Sequence, residues 1–70
     1  METFAHRLKK AREFEGWTQK QMAEKLDIPF TTYRSYETLS GANREPDFAM
    51  TGKIADLLKV TTDYLILGRE

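Results

Sequence analysis

Residues 18–37 read TQKQMAEKLDIPFTTYRSYE, and the points at which helices start and stop within them decide the fold. Thr18, followed three residues later by Gln21, is a capping box, in which each residue satisfies an N–H of the other's backbone. Met22, Ala23 and Leu26 then give a short helix its inner face. Asp27 and Ile28 break the pattern. Pro29 suits the first turn of a new helix, because its missing N–H has no helical partner there. That second helix is expected to run to about Leu39. Two helices joined by so few residues match the helix-turn-helix pattern.

The flanking segments extend the same reading. Phe4, Leu8 and Ala11 recur at helical spacing among His6, Arg7, Lys9, Lys10, Arg12 and Glu13, which predicts an amphipathic first helix. Thr3 is its N-cap and Gly16 its stop. Phe14 sits at the edge of that apolar stripe. After the pair, Ser40–Pro46 (SGANREP) is turn-forming chemistry and reads as a surface loop. Asp47 caps a fourth helix carrying Phe48, Met50, Ile54, Ala55, Leu57 and Leu58. Thr61 or Thr62 opens a last one, with Tyr64, Leu65 and Leu67 inside and Gly68 at its end. The expectation is an all-α bundle of five short helices in one domain, residues 1–70.

Bulk properties narrow the function. A chain of seventy residues buries only about 60% of its unfolded surface, so its stability is marginal. It has no cysteine, hence no disulfide framework and no thiolate metal site, which points to a reducing cytoplasm. No apolar run approaches the ~18 residues of a membrane span, and the N-terminus lacks a signal-peptide core. The net charge is zero, with seven Lys/Arg against five Asp/Glu in residues 1–36 and four against six in residues 37–70. Binding to an acidic polymer must therefore depend on the placement of charge rather than on its total. Nor is there a nucleophile–base set, a metal-ligand cluster or a glycine-rich phosphate loop. The one histidine, His6, falls on the polar side of the first helix. These absences argue against an enzyme, a cofactor or a resident metal.

The helix after Pro29 has two distinct sides. At about 100° per residue, with Phe30 at zero, Arg34, Thr38, Thr31 and Ser35 fall within roughly 140° of it. Leu39, Thr32, Tyr36 and Tyr33 occupy the arc from about 180° to 300°. Tyr33 and Tyr36 should thus meet the other helices. The opposite side carries hydroxyls, a guanidinium and one apolar group, without a carboxylate. Such a face suits the major groove: arginine pairs with guanine O6 and N7, hydroxyls reach either kind of edge atom, and an apolar group contacts a thymine methyl. It is also an ordinary composition for a solvated helix face, so the flanking residues decide.

Those residues, RLKKAREFEGWTQKQMAEKLDI, TYRSYE, REP and KIADLLKVTTDYLILG, resemble the phage Cro/repressor class of helix-turn-helix domains, also called XRE-type regulators. The likeness covers nearly the whole chain. It implies sequence-specific binding of a double-stranded DNA operator, as a transcriptional repressor or other regulator, through a homodimer reading two half-sites. By the resemblance, Phe30, Thr31, Arg34 and Ser35 are the base-contacting positions, with phosphate contact a second reading for Arg34. Gln19, Thr38, Asn43 and Arg44 are the phosphate anchors. Arg12 and Glu37 form an ion pair between helices, and Tyr64, Ile66 and Leu67 are dimer candidates, with core packing as the other reading. A further C-terminal domain or a toxin partner is compatible with the class.

The chain departs from the family pattern at three places. Asp27 stands where the turn usually has glycine, TLSGAN lengthens the loop by three residues, and Thr51 and Gly52 replace large apolar residues. Gly52 reads as a mark of close helix approach. The alternative function is a protein-interaction module or antitoxin whose helix-turn-helix binds mainly a partner protein, for which an exposed Phe30 would be suited.

Overall fold

The computed structural model describes residues 3–38 and 46–68. Five helices follow one another, α1 (Phe4–Phe14), α2 (Gln19–Leu26), α3 (Phe30–Tyr36), α4 (Phe48–Leu58) and α5 (Thr62–Leu67), with no strand among the described residues. The all-α reading holds.

Local chemistry starts these helices. Thr3 Oγ1 accepts from the His6 N–H at 3.2 Å, Asp47 from Met50 at 2.8 Å and Thr61 from Tyr64 at 3.0 Å. At Thr18 both halves of the capping box are made, Gln21 N–H to Thr18 Oγ1 at 3.1 Å and Thr18 N–H to Gln21 Oε1 at 2.8 Å. Each such cap is worth about 1 kcal/mol. Three of the helices end in left-handed residues: Asp27 (φ 59°) after α2, Lys59 (φ 60°) after α4 and Gly68 (φ 76°) after α5.

The third helix is shorter than its sequence suggests. Pro29 is the N-cap rather than a first-turn residue, and Tyr36, not Leu39, is the last helical residue. The reason lies in the hydrogen bonding at its end. Glu37 N–H turns to Arg34 O and Thr38 N–H to Ser35 O, three residues back rather than four, which tightens the last turn and closes the helix. Leu39 lies outside the described residues.

Tyr33, Leu8, Met22, Ile54 and Leu65 are the largest fully buried side chains, one from each helix. Burying a side chain of this kind stabilises by about 1.5–3 kcal/mol. Three aromatic or aliphatic residues behave otherwise. Phe48 is 88% exposed at the first position of α4, a turn before Thr51, the first buried residue of that helix. Leu67 is 59% exposed, because two residues past the buried Leu65 it lies about 200° round the helix. Phe14 is 89% exposed.

Gly52 does not mark a close approach: a Cβ built there would meet nothing within 4 Å. It therefore costs helix stability without a packing return. Gly52→Ala is expected to stabilise the fold by about 1 kcal/mol, read as a rise in melting temperature. A fall would mean that the glycine is needed for a contact.

Arg7 is the residue that its charge misplaces. It is buried, with Nε donating to Leu65 O and Nη2 to Ile66 O, both at 2.9 Å. These are carbonyls of the last turn of α5, which the helix itself leaves without partners. The guanidinium thus caps α5 and ties it to α1, and a Cβ at Gly68 would come within 3.3 Å of Nη1.

Candidate nucleic-acid interface

The helix pair α2–α3 is held by one carboxylate. Glu37, just past α3, has a side chain 2% exposed. Its Oε2 accepts from Arg12 Nε at 2.7 Å and its Oε1 from Arg12 Nη2 at 3.1 Å, a bidentate pairing that joins α1 to the end of α3. Gln19 Nε2, on the first residue of α2, donates to Oε1 at 3.0 Å. The Tyr33 hydroxyl donates to Oε2 from one turn earlier in α3. Arg12 Nη1 also donates to Trp17 O at 2.7 Å, so the connection between α1 and α2 is fixed by the same guanidinium. The structure thereby brings Arg12 and Glu37 together, and Gln19 and Tyr33 with them.

The electrostatics follow from this crowding. Burial by itself would raise the Glu37 carboxyl, but Arg12, with help from the Tyr33 hydroxyl and the Gln19 amide, outweighs it and holds the group below the usual carboxylate range. The Arg12 guanidinium is pushed up by its hydrogen bond to Glu37. Tyr33 is pushed well above the usual phenol range, first by burial and then by donating to the carboxylate. These three titratable groups thus keep one charge state at neutral pH, and the shared carboxylate ties α1, α2 and α3 together. Tyr33 also meets Tyr36 edge to face, with ring centroids 6.1 Å apart.

With Glu37 and Tyr33 turned inward, the outer side of α3 presents Phe30 (43% exposed), Thr31 and Arg34, with Ser35 half-buried beside them. No carboxylate of α3 is on this side. Ser35 Oγ donates to Thr32 O at 2.7 Å, which leaves its lone pairs, not its hydrogen, for an outside partner. Thr38 Oγ1 donates to Arg34 O at 3.1 Å; since a phosphate offers only acceptors, the anchoring role assigned to Thr38 requires that bond to be exchanged. Gln19 stands at the N-terminal end of α2, where a helix favours anions. A carboxamide nitrogen carries two hydrogens, and the bond to Glu37 uses one. Asn43 and Arg44 lie outside the described residues. Lys25 covers Trp17 behind α2, its Nζ 4.5 Å from the ring centre.

The family model described as "Helix-turn-helix domain" matches residues 5–70. The chain belongs to this helix-turn-helix family. It is 40% identical over 65 residues to the uncharacterized HTH-type transcriptional regulator YqaE of Bacillus subtilis (strain 168), covering 93% of this chain and 53% of that protein. It is 44% identical over 64 residues to the HTH-type transcriptional regulator ImmR of the same strain, covering 91% and 47%. The SPbeta prophage-derived uncharacterized HTH-type transcriptional regulator YonR is 38% identical over 65 residues, at 93% and 57% coverage. The chain thus spans about half the length of these relatives.

The outward residues of this helix-turn-helix are those that its α3 sequence sets opposite the tyrosines. The capping box, the αL turn at Asp27 and the core residues Met22, Ala23 and Leu26 build its scaffold. Among the described residues no group of three or more His, Cys, Asp or Glu is placed to hold a metal ion. No helix of the described residues is long and apolar enough to cross a membrane.

Proposed function

We propose that this chain is the DNA-reading part of a transcriptional regulator, a repressor that lays α3 in the major groove of a double-stranded operator. The observation that carries this reading is the outer side of α3, where hydroxyls, Arg34 and Phe30 are exposed and the Glu37 carboxylate just past the helix is locked inward. The relatives' names, which are all those of transcriptional regulators, support it and do not favour a helix-turn-helix devoted to a partner protein.

In this account residues 1–70 act as one domain. Arg34 reads a guanine edge. Phe30 meets a thymine methyl, and Ser35 accepts from a base amino group. The second Gln19 amide hydrogen and the N-terminal end of α2 hold a phosphate, so that Glu37 fixes the phosphate contact and the angle of α3 together. Phosphate contacts of this kind set register while base contacts specify. A domain without net positive charge gains little from non-specific attraction, so binding as a homodimer to half-sites about one helical turn apart supplies the affinity. Ile66 and Leu67, both exposed at the end of α5, are assigned to the dimer contact. Tyr64 is packed against the core and serves it less.

The test is affinity for duplex DNA at several salt concentrations. The expected slope of log affinity against log salt is about −0.9 for each phosphate neutralised. A slope near zero would remove the phosphate contacts and return α3 to a role in protein binding.

A further inference from the structure

A groove of about 430 Å³ lies between the C-terminal end of α1 and the α4–α5 junction. Ala11, Phe14, Leu58, Val60 and Tyr64 supply its apolar lining, and neither α2 nor α3 contributes to it. Phe14 leaves α1 almost fully exposed beside it. The lining includes no carboxylate, whereas Lys10 and Lys59, both exposed, stand at its edge.

Lys59 is the unusual member. It closes α4 in the left-handed region at φ 60° and ψ 38°, a position that glycine holds without strain and that a side chain holds at a cost. Its ammonium makes no hydrogen bond or ion pair among the described residues. The Lys59 and Val60 N–H groups close the end of α4 on Asp56 O (3.2 Å) and Ala55 O (3.0 Å), so the backbone is tied down while the side chain, without an ionic partner among the described residues, is left beside the apolar groove.

We propose that this groove docks a segment of a partner protein that sets an aromatic or aliphatic anchor beside carboxylates, an acidic amphipathic peptide. The apolar lining fits the anchor, and Lys59 meets the acids. A small polar ligand is a poorer match, because such sites converge several polar groups on their occupant, and here the Thr61 hydroxyl already accepts from Tyr64 N–H. A second copy meeting groove to groove would set lysines against lysines, since a two-fold contact pairs the same patch with itself. The groove shares no residue with the outer side of α3, so the peptide binds whether or not DNA is bound.

The experiment is a selection of random twelve-residue peptides displayed on phage against the immobilised chain, followed by titration of the enriched peptides. Melting curves confirm that each variant is folded. Enriched sequences are expected to place Asp or Glu beside Phe, Trp or Leu. Amide shifts on titration should fall on residues 10–14 and 58–64. Lys59→Glu and Phe14→Ala are expected to weaken binding at least roughly tenfold, as loss of a charge partner or an anchor contact does. Lys59→Gly should raise the melting temperature and still weaken binding, which separates the role of the charge from that of the backbone. The proposal is overturned by an absence of enrichment, by enriched peptides without acids, or by binding that survives Lys59→Glu. Displacement of the peptide by duplex DNA, or self-association that occupies the groove, would equally overturn it.

Discussion

Glu37→Ala is expected to destabilise this domain by about 3–5 kcal/mol, the cost of leaving a buried charge without its partner. The loss exceeds what an ordinary core truncation at one methylene would cause, because three groups are orphaned together. Arg12 loses a bidentate partner, Tyr33 a buried acceptor and Gln19 the acceptor that orients its amide. A domain of this length is stabilised by roughly 3.5–10 kcal/mol in total, so the variant is expected to be largely unfolded at room temperature or melt some 15–30 °C lower. Arg12→Ala should cost a similar amount. In a double-mutant cycle the second substitution should then cost far less than it does alone, with a coupling well above ~1 kcal/mol. Additive effects in thermal or urea denaturation would mean that the contact contributes little.

The same carboxylate sets an acid limit. Its native pKa lies below the 4.5 of a free side chain, so the unfolded chain takes up the proton first as pH falls. Stability from Glu37 is complete above about pH 4.5 and is lost progressively as pH drops through the native value. Glu37→Gln should flatten this part of the profile, which melting temperatures between pH 6 and pH 3 would show.

Arg34→Ala is the substitution with the largest expected effect on DNA binding alone. Arg34 is exposed on α3 and has no acidic partner there, so its removal should leave the melting temperature nearly unchanged. A bidentate arginine–guanine contact is worth about 1–3 kcal/mol of discrimination, so the variant should lose roughly five- to 150-fold in affinity for the preferred site while the penalty for changing that one base disappears. Arg34→Lys should fail to restore the preference, since an ammonium lacks the planar fork. If affinity instead falls equally on every sequence, Arg34 is a phosphate contact.

Much of this was legible in the residues themselves, and the exceptions have physical causes. The capping box at Thr18 and Gln21, the break at Asp27 and the inward phase of Tyr33 are local patterns, and local patterns survive folding because the backbone donors they satisfy are always present. The Arg12–Glu37 pair was available only through family resemblance: residues 25 apart in sequence carry no mark of their meeting. Arg7 was misplaced because its charge suggested solvent. Its spacing was informative, since Phe4, Arg7 and Ala11 fall on one stripe of α1, and the last carbonyls of the helix packed on α1 need a donor. Leu67 erred the other way. It lies at a helix end, where an apolar side chain can pass beyond the neighbours that would cover it. Gly52 was read as a close approach from its cost in a helix, yet a Cβ there would meet nothing within 4 Å.

The central claim is that the outer side of α3 reads base edges. It is tested most directly by selecting bound sites from a random pool of duplex DNA and sequencing what is retained. The expected result is a motif of two half-sites, centred about one helical turn apart, with a guanine in each whose preference vanishes when the selection is repeated with Arg34→Ala. A retained pool without any motif, or the same motif from the Arg34→Ala protein, would contradict it.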